Sequence, residues 1–218
     1  MATRAAAAAA FARFGGAPCV LEAELALDRE VSVVVARRGA GDLVHFPVAE
    51  NEHVHGILDT CIVPARISRE LAERACAAAE RIAEALDYVG VLCVEFFVLK
   101  GERLLVNEIA PRPHNSGHYS IDDCVTSQFE QQARILAGLP LGSTALHGPA
   151  VMVNLLGDIW RDGAPDWTIV LRHPEAKLHL YGKRDARPGR KMGHYTVLSA
   201  HVETAIETAR AIRRDLGF

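Results

Sequence analysis

The chain has 218 residues, with 24 Lys+Arg against 27 Asp+Glu and a formal charge of −3. Half the residues are hydrophobic and 23% are charged, which excludes a disordered chain, and the acidic balance excludes a globally basic nucleic-acid binder. No apolar run approaches the roughly 18–20 residues needed to span a bilayer, so no membrane partner is expected. Cys19, Cys61, Cys76, Cys93 and Cys124 are odd in number, scattered and free of any C-x-x-C pair. This points to a reducing, cytoplasmic compartment and away from a zinc motif.

In chain order, residues 1–14 read as an Ala-rich helix rather than a targeting peptide, ended by Gly15 and Gly16. Residues 19–25 and the valine-rich 29–38 read as strands, with residues 43–49 as a hairpin partner beyond the turn 39–42. A loop is expected over 50–65. Ser68 caps an amphipathic helix over 69–86, because Leu71, Ala75, Ala78, Ile82 and Leu86 recur at helical spacing. Residues 89–99 and 104–109 form a hairpin, and 124–137 a second helix. Beyond Pro140 short strands (150–156, 177–180, 194–199) alternate with turns before a final helix over 202–216. The mixture predicts an α+β fold with a mostly antiparallel sheet and flanking helices, divided into 1–142 and a small β-rich subdomain, 143–218.

Three clusters carry chemistry. Glu95 interrupts the apolar run VGVLCVEFFVL, and counting from the turn sets it opposite Glu108. Facing carboxylates repel, and burying them unpaired is worse. A divalent cation such as Mg²⁺, which takes one or two carboxylates plus substrate phosphates, removes both penalties; the alternatives are a pair at the solvent rim or one protonated carboxyl. Next, Asn107 to His118 gathers Arg112, His114, Asn115 and Ser116 beside Pro111 and Pro113, which stiffen the chain. Third, Lys183 and Lys191, two of only four lysines, combine with Arg184, Arg187 and Arg190 in a basic segment. It suits a small phosphorylated ligand and equally a solvated loop. Gly15-Gly16 and Gly39-Ala40-Gly41 precede no Lys-Ser/Thr and make no P-loop.

Together, in this order, these clusters resemble the carboxyl-terminal part of the N5-carboxyaminoimidazole ribonucleotide synthase family of ATP-grasp enzymes. NEIAPRPHNSGHYSIDDCVTSQFEQQARILAGLPLG (107–142) is the most specific stretch; VLEAELALDREVSVVVAR (20–37), FPVAENEHVHGIL (46–58) and LYGKRDARPGRKMGH (180–194) support it. The resemblance implies an ATP-grasp fold and the reaction ATP + 5-aminoimidazole ribonucleotide + bicarbonate → N5-carboxyaminoimidazole ribonucleotide + ADP + phosphate. It implies that Glu22, Ala23, Glu24 and Leu25 read the adenine edge, that Glu30 holds the ribose hydroxyls, and that His53 lines the nucleotide site. Asn107 and Glu108 lie by the ATP phosphates, with Glu95 and Glu108 on Mg²⁺. Arg112, His114, Asn115 and Ser116 handle bicarbonate and the aminoimidazole, and Lys183, Arg190 and Lys191 clamp the ribonucleotide phosphate. A homodimer is the implied assembly. Family members carry about 150 further residues at the amino end, the scale of one domain, so a Rossmann-like domain and most of the lid are expected to be absent. The alternative is an inactive, ligand-binding or dimerising remnant.

Overall fold

The structure is a computed structural model describing residues 3–218; residues 1 and 2 of the expected amino-terminal helix lie outside the described residues. Helix α1 (Arg4–Arg13) forms because alanine loses least on entering a helix and because the Thr3 hydroxyl accepts from the Ala6 amide at 3.1 Å. It buries no side chain. The strand expected over 19–25 does not form. Those residues have no pairing partner in the sheet, and Val20 and Leu21 are 85% and 78% exposed.

The sheet begins with β1 (Leu27–Gly39), which turns at Gly41 (φ +70°) into a short β2 (Asp42–His45). Residues 46–48 leave the pairing, so the expected partner over 43–49 is cut short. Where a loop was expected over 50–65, the chain builds a hairpin, β3 (Ala49–Val54) and β4 (Ile57–Val63). Its two-residue turn is His55-Gly56, both with positive φ, which suits the right-handed twist of the strands. Helix α2 (Arg69–Ala85) starts as expected, the Ser68 hydroxyl accepting from the Leu71 amide at 3.1 Å. Then come β5 (Gly90–Leu99), β6 (Arg103–Ala110), a 3₁₀ turn at Asn115–Gly117, α3 (Ser120–Asp123) and α4 (Gln128–Leu136). Helix α4 begins later than expected. Cys124 is held in a bridge to Leu146, and the Ser127 hydroxyl is the cap that opens the helix. β7 (Ala150–Leu156), a 3₁₀ turn at Gly157–Trp160, α5 (Thr168–Leu171), β8 (Ala176–Leu180), β9 (Lys191–Leu198) and α6 (Val202–Asp215) complete the order.

Among the described residues one sheet runs through all nine strands in the order β6-β5-β1-β3-β4-β7-β9-β8, with β2 on the end of β1 and every pair antiparallel. The β4–β7 pairing carries it unbroken across residues 142–143. On one face α2 lays Leu71, Ala75, Ala79 and Ala83 over Val31, Val33, Val35, Leu92, Val94 and Phe96, and α6 covers Ile62, Val151, Val153, Tyr195 and Val197. Full burial of each such valine or phenylalanine stabilises by about 1.5–3 kcal/mol. On the other face Val34, Ala36, Cys61, Cys93 and Met152 pack beneath Tyr119 and Ile135. The polar residues of interest share this second face, beyond the edge of its apolar cover.

Candidate functional site

Glu95 and Glu108 are directly opposite on β5 and β6. The turn is one residue tighter than counting suggests, pairing Leu99 with Arg103. A bulge at Asn107 adds the residue back, so that Asn107 and Glu108 together span the position opposite Glu95. Bulges of this kind re-aim side chains beside functional sites. Burial pushes the Glu95 carboxyl above the ordinary glutamate range. His53 pulls it back, and Glu108 and Glu30 push it further up.

The 112–118 segment is fastened to the sheet by buried polar contacts. The Ser32 hydroxyl on β1 lies 2.9 Å from the fully buried Ser116 hydroxyl, and His114 Nδ1 lies 2.9 Å from the same oxygen. The opposite ring nitrogen, His114 Nε2, is then 3.5 Å from Glu95 Oε1. Burial, and next the charge of Arg112, push the His114 imidazole down to about 4. The Gln128 side chain clasps the loop from beneath: its Oε1 accepts from the His114 amide at 2.8 Å and its Nε2 donates to the His114 carbonyl at 2.7 Å. Gly117 is required there, since a Cβ would sit 2.6 Å from Gln128 Oε1. Asn115 and Asn154 exchange both amide hydrogen bonds, at 3.0 and 2.6 Å.

His53, Glu95, Glu108, His114, Lys183 and Lys191 line a single cleft of about 480 Å³. Its two walls are far apart in the sheet order, since β5 and β9 are five strand steps from one another. Adjacent strands turn by about 20–25°, and the summed twist curls the sheet until β9 faces the carboxylates. Burial lowers the Lys191 ammonium, and Glu95 across the cleft supports its charge. Glu30 meets His53 Nδ1 at 3.0 Å. Lys183 Nζ donates to the Lys191 carbonyl at 2.6 Å, closing the basic loop on itself, and Arg190 donates to the Asp185 carbonyl at 2.9 Å. Arg112 is exposed and donates to the Pro113 carbonyl at 3.1 Å.

The structure thus brings together the carboxylates, His53, His114 and two lysines. It leaves Glu22, Ala23 and Glu24 in a shallow hollow against Thr3, Arg4 and Ala7, apart from the cleft, with Leu25 half-buried beside them. Gln128, Asn154, Tyr181 and His194, which support the loop, were not expected from sequence. Gln128, Tyr181 and His194 lie within the motif stretches 107–142 and 180–194 without being singled out there, and Asn154 showed as a lone amide inside the apolar strand AVMVNLL.

A family model described as the ATP-grasp domain matches residues 2–129. This chain belongs to the ATP-grasp family. A second model, the phosphoribosylaminoimidazole carboxylase carboxyl-terminal domain, matches residues 150–208, so the ATP-grasp sheet described above continues into it through β4 and β7. The N5-carboxyaminoimidazole ribonucleotide synthase of Brucella melitensis is 52% identical over 187 residues, 86% of this chain and 51% of that protein. The crystal structure of N5-carboxyaminoimidazole ribonucleotide synthetase from Thermus thermophilus superposes with a TM-score of 0.87 at 45% identity, covering 97% of this chain and 57% of the other. The Aspergillus clavatus synthase, solved with ADP and 5-aminoimidazole ribonucleotide, superposes at 0.81 with 31% identity, covering 89% and 53%. The chain spans about half the length of the curated relatives it matches. The antiparallel sheet with flanking helices is the fold these ATP-grasp relatives share. Among the described residues no helix is long and apolar enough to cross a membrane.

Proposed function

We propose that this chain carries the carboxyl-terminal part of a site that carboxylates 5-aminoimidazole ribonucleotide with ATP and bicarbonate, giving N5-carboxyaminoimidazole ribonucleotide, ADP and phosphate. The observation that carries the reading is the pair Glu95 and Glu108, opposed across β5 and β6 at the mouth of a cleft whose far wall is basic. The donor set fits Mg²⁺: two hard carboxylate oxygens beside open space suit a cation that keeps waters and takes substrate phosphates. Bound there, Mg²⁺ would neutralise phosphate charge. Glu95 and Glu108 would hold it, and Asn107 lies beside them.

The other residues act by binding and orientation. Glu30, steadied by His53, accepts from ribose hydroxyls. Backbone groups of Glu22, Ala23, Glu24 and Leu25 read the adenine. His114 is neutral above about pH 4, and its Nε2 faces the cleft, where with Asn115 and Arg112 it orients bicarbonate and the aminoimidazole amine. Ser116, fully buried, fixes the ring of His114 from behind. Lys183, Lys191 and Arg190 take the ribonucleotide phosphate as counter-charges. The family resemblance supports a homodimer working in the cytoplasm, and a functional division after Gly142.

A second reading, a nucleotide-binding or dimerising module without turnover, is favoured by the exposure of Glu22, Ala23 and Glu24 and their separation from the cleft. The test is ADP release by the chain with Mg-ATP and bicarbonate, with and without 5-aminoimidazole ribonucleotide, alongside titration of Mg-ADP. Ribonucleotide-dependent release that Glu108→Gln abolishes supports the ligase. Mg-dependent binding without release supports the module. Neither release nor binding overturns both.

A further inference from the structure

Away from the carboxylates, one hydrogen-bonded chain of side chains fixes its own proton positions. It starts at the Leu58 carbonyl, which can only accept. Asn154 Nδ2 donates to it at 2.8 Å, and this sets which end of the Asn154 amide is nitrogen. The reciprocal pair then sets Asn115, whose Nδ2 points at Asn154 Oδ1 and also at His118 Nδ1, 3.2 Å away. His118 Nδ1 is therefore an acceptor. Tyr181 OH lies 3.0 Å from that nitrogen and 2.8 Å from His194 Nδ1. A phenol has one proton to give. Every contact holds a proton only if Tyr181 donates to His118 and His194 Nδ1–H donates to Tyr181.

The consequence falls on the other nitrogen of His194. Nε2 carries a bare lone pair, it is buried in a residue only 1% exposed, and it has no hydrogen-bond partner. An imidazole whose Nδ1–H is tied to an outer partner while Nε2 is left free is arranged as metal-binding histidines are. Beside it stand two more donors. His179 stacks on His194 with ring centroids 4.6 Å apart, and His179 Nε2 lies 2.8 Å from Asp122 Oδ2. One ligand atom from each of Asp122, His179 and His194 lies within 4.8 Å of the other two. Ligand atoms on a tetrahedral zinc lie about 3.3 Å apart, given Zn–N distances near 2.0–2.1 Å. The Asp122–His179 spacing is already close to that; for both imidazole lone pairs to meet one ion, the His179 ring turns out of its stacked alignment with His194, 16° between ring planes. Asp122 and His179 keep side-chain exposures of 14% and 31%, so solvent reaches both side chains.

We propose that Asp122, His179 and His194 form a binding site for one late first-row divalent cation, Zn²⁺ by donor chemistry, separate from the Glu95–Glu108 pair. Two imidazoles and one carboxylate select Zn²⁺ over Mg²⁺, which prefers all-oxygen sites. On binding, the Zn–Nε2 bond of His179 replaces its hydrogen bond to Asp122, and the ring proton moves from Nε2 to Nδ1, so the imidazole stays neutral with no net proton lost. The His194 lone pair needs no deprotonation. The cation would pin α3 to β8 and β9, and through Tyr181 and His118 it would stiffen the loop bearing Asn115.

The experiment is calorimetric titration of the untagged, chelator-treated 218-residue chain with ZnCl2 and, separately, MgCl2, followed by melting with and without Zn²⁺. The expected result is one Zn²⁺ per chain at micromolar affinity or tighter, a higher Tm with Zn²⁺, and no competition from millimolar Mg²⁺. Asp122→Asn and His179→Ala, each on a partly exposed side chain, should weaken binding at least tenfold, with Glu95→Gln unchanged. Co²⁺ should report the same site by tetrahedral ligand-field absorption. No saturable Zn²⁺ binding, binding indifferent to both Asp122→Asn and His179→Ala, or binding lost in Glu95→Gln would each overturn the proposal. If His179→Ala fails to fold, Asp122→Asn and the Co²⁺ spectrum of the unmodified chain decide it.

Discussion

Residues 107–118 hold their shape through contacts made inside this chain, whereas residues 17–26 make few. In the first segment Ser32, Gln128 and Asn154 reach the loop from three different elements, and Ser116 and Gly117 are buried. In the second, Val20 and Leu21 stand in solvent and Glu22, Ala23 and Glu24 border a shallow hollow. Both segments were picked out by motif. Motif alone marks the chemistry a segment could take part in; buried polar partners determine whether the geometry is already in place.

Acid should expose the difference most strongly. His114 and His118 are pushed down to about 4 and His194 to about 3, with burial the largest cause for each. The unfolded chain binds these protons near 6.5. Stability is therefore fully present above about pH 6.5 and is lost as pH falls toward 4, with a slope approaching three protons. Urea midpoints measured from pH 7.5 to 4.5 check this. A flat profile, or a His118→Gln variant whose slope is not lower by about one proton, breaks the account.

Gln128→Ala comes next. It leaves the His114 amide and carbonyl without partners and opens a cavity, costing about 3–4 kcal/mol, or a Tm lower by about 10 °C for a chain of this size. Thermal melting decides it, and a loss under 1 kcal/mol would show the loop is held otherwise. Glu95→Gln should act in the opposite direction. The Glu95 carboxyl is raised, so its ionisation costs stability as pH rises past its folded value. Removing one of two facing charges should therefore stabilise at neutral pH, on the order of 0.5–1 kcal/mol, while abolishing Mg-dependent nucleotide binding. Leu21→Ser, at the other pole of the comparison, should leave unfolding stability unchanged within about 0.5 kcal/mol; a larger loss would mean that residues 17–26 are packed after all.

The sequence disclosed what periodicity and misplaced polarity can disclose. Glu95 stood out because a carboxylate has no reason to sit in VGVLCVEFFVL, and Ser68 because a hydroxyl preceded an apolar four-residue repeat. The facing of Glu95 and Glu108 was inferred correctly through two offsetting irregularities, a tighter turn and a bulge, neither visible in residue types. The β3–β4 hairpin was hidden because Glu50, Asn51, Glu52 and His53 break the apolar pattern of a strand. They can do so because Glu50 is paired with Arg66 and His53 with Glu30. Residues 19–25 misled in the reverse way, being apolar enough for a strand but lacking a neighbour to pair with. Gln128 and Tyr181 look like ordinary surface residues in sequence, since their value lies in what meets them across 14 and 63 positions of chain.

The curl of the sheet has a mechanical consequence. The cleft is bounded by strands five steps apart, about 24 Å along a flat sheet at 4.8 Å per step, so its width is the accumulated sum of many small inter-strand rotations. A change of one degree at each step adds to five degrees and, over that lever arm, to about 2 Å at the mouth. A substitution on β3 or β4 can therefore alter how β9 meets the carboxylates without touching either wall.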